Sequence, residues 1–241
     1  MVETQISSNY NRLKGASWFN NLYKREILLI GCGGISSWTA LLLGRLGVDL
    51  YIYDFDLVEQ HNLGGQLFKN SDVRKTKVAA ISNTLREFCD SDIEVEIFEE
   101  KYLKDSPSSD IVITGVDNMD ARKNSFNNWI NHLNNSIAEN PNYNLDECLY
   151  IDGRLNLEKL QIFCIKGTDT KAQERYAKDF LFDDSEVAEM DCTARQTSFM
   201  ASMIASHMIG FLCNFFGEDF RDVPFYYEYV LPLNMTNNEP D

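Results

Sequence analysis

The chain of 241 residues carries a formal net charge of −15 and is 44% hydrophobic, which is enough for one large α/β domain with a buried core. This acidity argues against broad binding to nucleic acid or to a membrane surface, because both favour a basic protein face. The six cysteines include no Cys-x-x-Cys pair, which disfavours a structural zinc site, and no N-terminal apolar segment indicates a signal peptide. We therefore expect a cytoplasmic protein with reduced cysteines and with no nucleic-acid or membrane partner.

The chain opens with a polar segment and then a glycine-rich unit. Residues 1–26 predict either a short helix docked on the following domain or an arm laid on a partner. The next stretch, 27–56, predicts a strand, a turn of Gly31, Gly33 and Gly34, a helix, and a second strand that ends in two acids. Ser36 stands where a third glycine is usual. Because such a turn offers backbone N–H groups and a helix dipole to phosphate, it predicts nucleotide binding; a turn used only for close packing is the alternative.

Strands and helices alternate further along the chain. A polar loop over 57–71 precedes a predicted helix over 76–88, and strands are expected over 93–98 and 110–114. A helix from about residue 120 leads into an Asn-rich surface insertion over 134–146, and two more strands follow over 149–152 and 160–165. This order predicts an α/β fold with a doubly wound, mostly parallel sheet, later antiparallel strands, and helices on both faces.

The last part of the chain is predicted to contain less regular structure. Residues 166–190 are charged and without periodicity, which predicts a mobile acidic loop. The stretch 197–216 predicts a long helix that is apolar on nearly all sides; its serine, histidine and asparagine residues favour a core or a subunit interface over a membrane span. The tail, 219–241, is expected to fray, so the main domain is predicted to span 27–218.

Polar residues follow the predicted strands at one edge of the sheet, where doubly wound proteins bind their ligands. They are Asp54 and Asp56 after the second strand, Asn62 and Gln66 in the next loop, Lys77 at a helix start, and Asp117 and Asn118 after a later strand. Magnesium-dependent ATP chemistry needs a lysine that neutralises phosphate oxygens and a carboxylate that holds the hydrated metal. Hydride transfer would need neither the lysine nor the second acid.

In this order and spacing, these residues resemble the ThiF/MoeB and ubiquitin-activating-enzyme superfamily of adenylyltransferases, in its compact bacterial or viral type without zinc cysteines. The matching motifs are Gly31-Cys-Gly-Gly-Ile-Ser-Ser, Asp54-Phe-Asp56-Leu-Val-Glu, Asn62-Leu-x-x-Gln66, Lys77 and Asp117-Asn118-x-x-x-Arg122. The resemblance implies a Rossmann-like nucleotidyltransferase. It would use ATP and Mg²⁺ to adenylate the C-terminal carboxylate of a ubiquitin-like or sulfur-carrier-like protein, or of a peptide, and would work as a dimer, with a homodimer expected first.

The resemblance also assigns roles by position. The three glycines, Ser36 and Asn118 would line the nucleotide, and Asp54 would take the ribose. The residues around the phosphates would be Asp56, Asn62, Gln66 and Lys77. Asp117 would support the magnesium ion and the transition state. Arg12, in the N-terminal segment, would reach the partner's ATP across the dimer; a solvated arginine is the alternative.

Two positions depart from the family pattern. Gly65 stands where the family has an arginine before the glutamine, so one phosphate cation is missing. Arg74 replaces the glycine that usually precedes the Lys77 element. We hypothesise that Arg74 supplies the missing charge. The alternative is that the lost cation marks a weakened or inactive enzyme.

Three further features allow two interpretations each. Cys192, just before the long helix, matches a cysteine that accepts the activated carboxylate as a thioester in some relatives, and it could instead be buried packing. The segment from Asp152 to Arg154 could bind an incoming peptide tail, or form a turn with a solvated arginine. Arg122 could pair with Asp117 or cap its helix.

Two other functions remain compatible with the sequence. A nicotinamide- or flavin-dependent oxidoreductase on the same fold would bind NAD and would leave Lys77 and Asp117 without a role. A catalytically silent partner subunit would keep the fold and pair with an active relative. Gly65 favours the silent subunit, whereas the intact Asp54, Lys77 and Asp117 disfavour it.

Overall fold

A computed structural model of the protein describes residues 6–156, 158–182, 197–217 and 223–231. Within these residues a seven-stranded sheet has the order β3-β2-β1-β4-β5-β6-β7. The strands are β1 (Glu26–Ile30), β2 (Asp49–Tyr53), β3 (Val95–Phe98), β4 (Ile111–Thr114), β5 (Leu149–Asn156), β6 (Lys159–Lys166) and β7 (Tyr226–Val230). The first five strands are parallel, whereas β6 and β7 pair antiparallel, which confirms the predicted sheet.

Helices cover both faces of this sheet, as predicted. They are α1 (Phe19–Leu22), α2 (Gly34–Gly44), α3 (Lys77–Phe88), α4 (Met119–Glu139), α5 (Thr170–Asp179) and α6 (Ser198–Phe215). One buried cluster joins α2, α3 and α6 to one face, and a second joins α4 and α5 to the other. Because both faces are covered, β1 and β4 are buried along almost their whole length, and their sequences are continuous apolar runs.

Local sequence signals set the helix starts. Thr76, Asn118 and Thr197 are the N-cap residues of α3, α4 and α6, and each side chain accepts a hydrogen bond from a backbone N–H in the first turn. In α3 the apolar residues recur at helical spacing, so one face packs on the sheet while the other remains polar.

Helix α6 confirms the long apolar helix predicted over 197–216. It packs on α2 and on strands β5 and β6, and Gly153 permits this approach, since a Cβ there would lie 2.7 Å from the Met208 sulfur. By length and composition, with a mean hydropathy of 1.3, α6 would suffice to cross a bilayer. Core helices pass the same test, and one face of α6 contributes to the core here.

The structure corrects three expectations of irregular structure. The acidic stretch 166–190 contains α5, whose Ala172 and Tyr176 form a buried face within an otherwise charged sequence. Helix α4 continues to Glu139, into the segment predicted as a loop. The expected tail contains β7, because pairing with β6 extends the sheet by one strand. Residues 183–190 and 232–241 lie outside the described residues.

The N-terminal segment is packed against the body of the protein. Tyr10, Phe19 and Leu22 are buried, and Tyr10 packs against Gly47. Gly47 precedes β2, so this contact lies at the amino-end edge of the parallel strands.

The opposite edge holds the predicted site. Strands β1 and β4 are neighbours although α2, β2, α3 and β3 separate them in the chain, so the strand order reverses between them. Thr114, the last residue of β4, pairs with Ile30 of β1 and with Asp152 of β5. The loops that follow these strands therefore meet at one crevice, the usual ligand position in such sheets.

Candidate nucleotide site

The glycine turn connects β1 to α2 and leaves open space above it. Gly31 has φ +84°, which favours glycine, and a Cβ there would lie 3.0 Å from Val116 Cγ1. A Cβ on Gly33, by contrast, would meet nothing within 4 Å. Gly33 is the N-cap residue of α2, so the free N–H groups of the first turn border this space. The turn is therefore a cradle that fits a phosphate group.

Ser36 is buried beside this cradle. Its side chain is 1% exposed, and a Cβ on Gly115 would lie 2.7 Å from its hydroxyl oxygen. Its hydroxyl oxygen has no hydrogen-bond partner within the described residues, and a contact between Ser36 and the nucleotide stays a prediction. Its small side chain serves the close approach of α2 to the end of β4, which is the role of the third glycine in related turns.

Asp54 links the end of β2 to the glycine turn. Its Oδ2 accepts a hydrogen bond from the Cys32 backbone N–H at 2.6 Å, and its Oδ1 accepts one from the Asp56 N–H at 2.8 Å. Burial raises the pKa of the Asp54 carboxyl, and the Lys77 charge and these two donors offset the effect only in part. Each oxygen keeps a second lone pair, so Asp54 can still accept from ribose hydroxyls.

Lys77 and Asp56 form an ion pair beside Asp54. Lys77 Nζ lies 2.7 Å from Asp56 Oδ2, and the Lys77 backbone N–H donates to the Asp56 carbonyl at 2.9 Å. The lysine side chain is 10% exposed and the aspartate 46%. Burial lowers the pKa of Lys77, but the hydrogen bond to Asp56 and the charges of Asp54 and Asp56 outweigh it, so the pKa is raised. The lysine is therefore a fixed cation at the mouth of the crevice.

The loop after β2 packs on α2 through two hydrogen bonds. Trp38 Nε1 donates to the Gly65 carbonyl at 3.1 Å, and the Leu67 N–H donates to Ser37 Oγ at 3.0 Å. Asn62 is buried and its Oδ1 accepts from the Glu59 N–H, which shapes the loop. Gln66 carries a buried Oε1 that has no hydrogen-bond partner within the described residues. An orphaned acceptor at this position fits a ligand that brings a donor.

Arg74 occupies a backbone position suited to glycine. Its φ is +76°, in the left-handed region, which agrees with the glycine that the family pattern places there. The side chain is exposed and makes no hydrogen bond or ion pair within the described residues, whereas neighbouring Lys75 pairs with Asp72. Arg74 therefore has an uncommitted cation three residues before Lys77.

Asp117 and Asn118 follow β4 at the same edge. Asp117 is exposed, and Asn118 Nδ2 donates to its Oδ1 at 3.4 Å. Asn118 Oδ1 accepts from the Ala121 N–H and caps α4, so this oxygen is committed to the helix rather than to a ligand. Within the described residues no cluster of three or more His, Cys, Asp or Glu could hold a metal ion. A single carboxylate suits Mg²⁺, which takes its remaining ligands from phosphates and water.

A buried ion-pair network lies in the core behind Val116, the residue before Asp117, and sequence reasoning missed it. Asp152 is fully buried in β5; its Oδ1 lies 3.0 Å from Arg122 Nε and its Oδ2 lies 2.7 Å from Arg154 Nε. Burial raises the pKa of Asp152, but the charges of the two arginines outweigh it and the pKa is lowered. Arg154 also donates to the Phe180 carbonyl at 3.0 Å and packs on Phe163.

This network corrects two expectations. Residues 152–154 lie inside β5 rather than in a turn, and Arg154 is held in the core rather than solvated. Arg122 pairs with Asp152, not with Asp117, and the side-chain oxygen that caps α4 is that of Asn118. The sequence did contain a signal for this strand. Tyr150, Asp152 and Arg154 stand at every second position and therefore share one strand face, which indicates that the strand continues beyond Asp152.

Of the predicted catalytic residues, Arg12 does not lie at this crevice. Arg12 is exposed in the N-terminal segment, two residues from Tyr10 at the opposite edge of the sheet. It is thus remote from the site of its own chain. Cys192 lies outside the described residues.

The mostly parallel sheet and the glycine cradle at its reversal point define a Rossmann-like α/β protein. The model of the ThiF family matches residues 6–238, and the chain belongs to that family. Ubiquitin-like modifier-activating enzyme 5 of Drosophila erecta is 31% identical over 126 residues, which are 49% of this chain and 28% of that protein. The Drosophila virilis enzyme is 27% identical over 168 residues, 58% of this chain and 42% of the relative. The chain thus spans less than half the length of these curated relatives.

Solved structures show the same fold. The crystal structure of PaaA superposes with a TM-score of 0.68 at 17% identity, covering 96% of this chain and 82% of that one. E. coli MccB with ATP gives a TM-score of 0.63 at 18% identity, covering 90% and 66%. At such identities the likeness is one of fold.

Proposed function

We propose that this protein is an ATP-dependent adenylyltransferase that activates the C-terminal carboxylate of a peptide or a small, ubiquitin-like or sulfur-carrier-like protein. The observation that carries the proposal is the Lys77–Asp56 pair beside the open cradle at Gly33. A fixed cation and free helix N–H groups around one space suit a polyphosphate, whereas hydride transfer needs no buried lysine there. Family membership and the MccB structure with ATP support the same assignment.

In the proposed reaction the substrate carboxylate attacks the α-phosphorus of ATP. One carboxylate oxygen forms a bond to phosphorus, the bond to the bridging oxygen of pyrophosphate breaks, and an acyl-adenylate and pyrophosphate result. Lys77 would leave its ion pair with Asp56 and neutralise phosphate oxygens instead. Asp54 would hold the ribose. Asp117 would hold Mg²⁺, which supplies charge neutralisation on the phosphates. Positioning and electrostatics would therefore provide most of the rate acceleration.

The proposed substrate class rests on the comparisons. Curated relatives carry the name ubiquitin-like modifier-activating enzyme 5, and MccB has been solved with AMPCPP and MccA. We also propose a cytoplasmic location, on the sequence alone.

The first test is calorimetric binding of MgATP, and separately of NAD, to the wild type and to Asp117→Ala. We expect MgATP binding that the substitution weakens. NAD binding without ATP binding would point instead to an oxidoreductase. ATP binding by a protein that never exchanges pyrophosphate with ATP, across a panel of peptides and ubiquitin-like proteins, would identify a silent partner subunit.

We also propose that the Cys192 thiolate attacks the acyl carbon of the adenylate and forms a thioester, while the bond from that carbon to the phosphate oxygen breaks and AMP leaves. Burial raises the pKa of all five described cysteine thiols, to about 11 at Cys89 and about 12 at Cys148 and Cys213, so these are poor nucleophiles at neutral pH. Cys192→Ala should keep pyrophosphate exchange and lose a thiol-sensitive covalent adduct with the substrate. An adduct that persists in this variant would refute the assignment.

We propose further that the protein works as a homodimer in which Arg12 serves the partner's site. The remoteness of Arg12 from the crevice of its own chain supports this arrangement. Arg12→Ala and Lys77→Met should each be inactive, whereas a mixture should recover about a quarter of the wild-type activity, because mixed dimers keep one intact site. Full activity of Arg12→Ala alone would mean that Arg12 is only a solvated charge.

A further inference from the structure

The loop that carries Asp117 is anchored to strand β5 through one buried side chain, that of Arg122. Arg122 Nε pairs with Asp152 Oδ1 at 3.0 Å, while its Nη2 donates a hydrogen bond to the Val116 carbonyl. The Arg122 side chain is 9% exposed and Asp152 is fully buried. One planar guanidinium therefore ties the strand β5 to the residue immediately before Asp117.

Val116 is fixed on its other side by the glycine turn. A Cβ on Gly31 would lie 3.0 Å from Val116 Cγ1, and the Gly115 N–H donates to the Ile30 carbonyl at 3.4 Å. The segment from Gly115 to Asp117 is thus enclosed between the phosphate cradle and the Arg122 guanidinium. Asp117 itself is exposed, so its position depends on these anchors of the preceding residues and on the cap at Asn118.

We propose that Arg122, oriented by Asp152, is a positioning residue for Asp117. It sets the backbone at Val116 and thereby the place at which the Asp117 carboxylate meets a metal–nucleotide complex. The catalytic consequence rests on the proposed adenylation, whereas the mechanical claim, that Arg122 orders the 115–117 segment, does not. A displacement of about 1 Å at a reacting group can reduce a rate by about a hundredfold, so a loosened segment should have a large effect.

Arg154 provides a matched control within the same network. It pairs with the other oxygen of the same buried carboxylate at 2.7 Å and its side chain is 13% exposed. Within the described residues it contacts Asp152, Tyr176, Phe180 and nearby rings, and it makes no hydrogen bond or ion pair with the 115–118 segment. If both arginines only neutralised Asp152, replacing either one should affect the 115–118 segment equally. If Arg122 positions that segment, replacing Arg122 should affect it more than replacing Arg154.

The experiment compares Arg122→Lys with Arg154→Lys in the full chain. Each lysine keeps the charge and loses the planar fork, so only Arg122→Lys should lose simultaneous contact with Asp152 and Val116. Hydrogen–deuterium exchange of the peptide covering 114–121 should accelerate at least tenfold in Arg122→Lys and less than twofold in Arg154→Lys. In pyrophosphate exchange, Arg122→Lys should reduce kcat at least tenfold and raise the Mg²⁺ concentration for half-maximal rate, with little change in the KM for peptide.

The outcomes separate the two proposals. Equal exchange rates of the 114–121 peptide in both variants would overturn the positioning role, whatever the activity. Accelerated exchange in Arg122→Lys, with no pyrophosphate exchange in the wild type, would support positioning and count against adenylation. If Arg122→Lys fails to fold, Arg122→Gln replaces it, because that variant leaves one carboxylate facing one guanidinium and a charge-balanced core.

Discussion

Replacing the buried Asp152 with asparagine should strongly destabilise the protein. Asp152 is the shared anion of Arg122 and Arg154, and all three side chains are largely removed from water. The asparagine has the same shape and can still accept one hydrogen bond, but it leaves two guanidinium charges in the core without a counter-ion. Breaking a buried ion pair by removing one partner costs about 3–5 kcal/mol, and we expect Asp152→Asn to fall in this range.

Urea unfolding followed by tryptophan fluorescence would measure the loss, together with the melting temperature. For a chain of this size about 1 kcal/mol corresponds to about 2–4 °C, so the Tm should fall by about 6–20 °C. Asp146→Asn, at an exposed acid, is the control and should change stability by less than about 0.5 kcal/mol.

The pH dependence of the stability lost in Asp152→Asn provides a second test. The folded-state pKa of Asp152 is lowered by its two arginines, below the value of about 3.9 for an unperturbed aspartate. The stabilisation that the charged Asp152 carboxylate gives to the folded protein is therefore fully present above about pH 4. It disappears as the pH falls through the folded-state pKa. The stability difference between wild type and Asp152→Asn should be constant from pH 7 to about pH 5 and shrink in stronger acid. A loss below about 1 kcal/mol at pH 7, or one that grows on acidification, would refute the reasoning.

Three further substitutions test the proposed nucleotide site. Lys77→Met should reduce the rate of pyrophosphate exchange by about a hundredfold, because it removes the cation that would face the phosphates. The control Lys75→Met removes a partly exposed cation beside Asp72 and should have little effect on this rate. Similar losses of rate in both variants would contradict a phosphate role for Lys77. Gly33→Ala should fold normally, because its Cβ meets open space, yet weaken ATP binding at least about tenfold in calorimetry; unchanged affinity would mean that the cradle lies elsewhere. Arg74→Gly should raise the free energy of unfolding by about 1 kcal/mol by relieving a left-handed φ, and it should weaken ATP binding; unaltered affinity and turnover would end the idea that Arg74 replaces the missing cation.

Much of the fold followed from local patterns. The continuous apolar run of β1 and the helical spacing in α3 are properties of adjacent residues, and the structure confirms the strand and the helix that they predicted. Helix α5 was not predicted because only one narrow stripe of its surface is apolar. Strand β7 was not predicted because an edge strand depends on a partner strand for its hydrogen bonds.

The chemical parts of the candidate site were also visible in the sequence, since glycine, aspartate and lysine at fixed intervals after strands are local signals. The sequence alone determined the α/β class, the glycine turn after β1, and the residue types at the carboxyl edge of the sheet. Only the tertiary structure decided which partners these residues have: the direct pairing of Lys77 with Asp56, the burial of Ser36, and the sharing of Asp152 by two arginines. The reason is physical, because each of these contacts joins residues that are distant in the chain or depends on burial, and burial arises only when the sheet and its helices pack together.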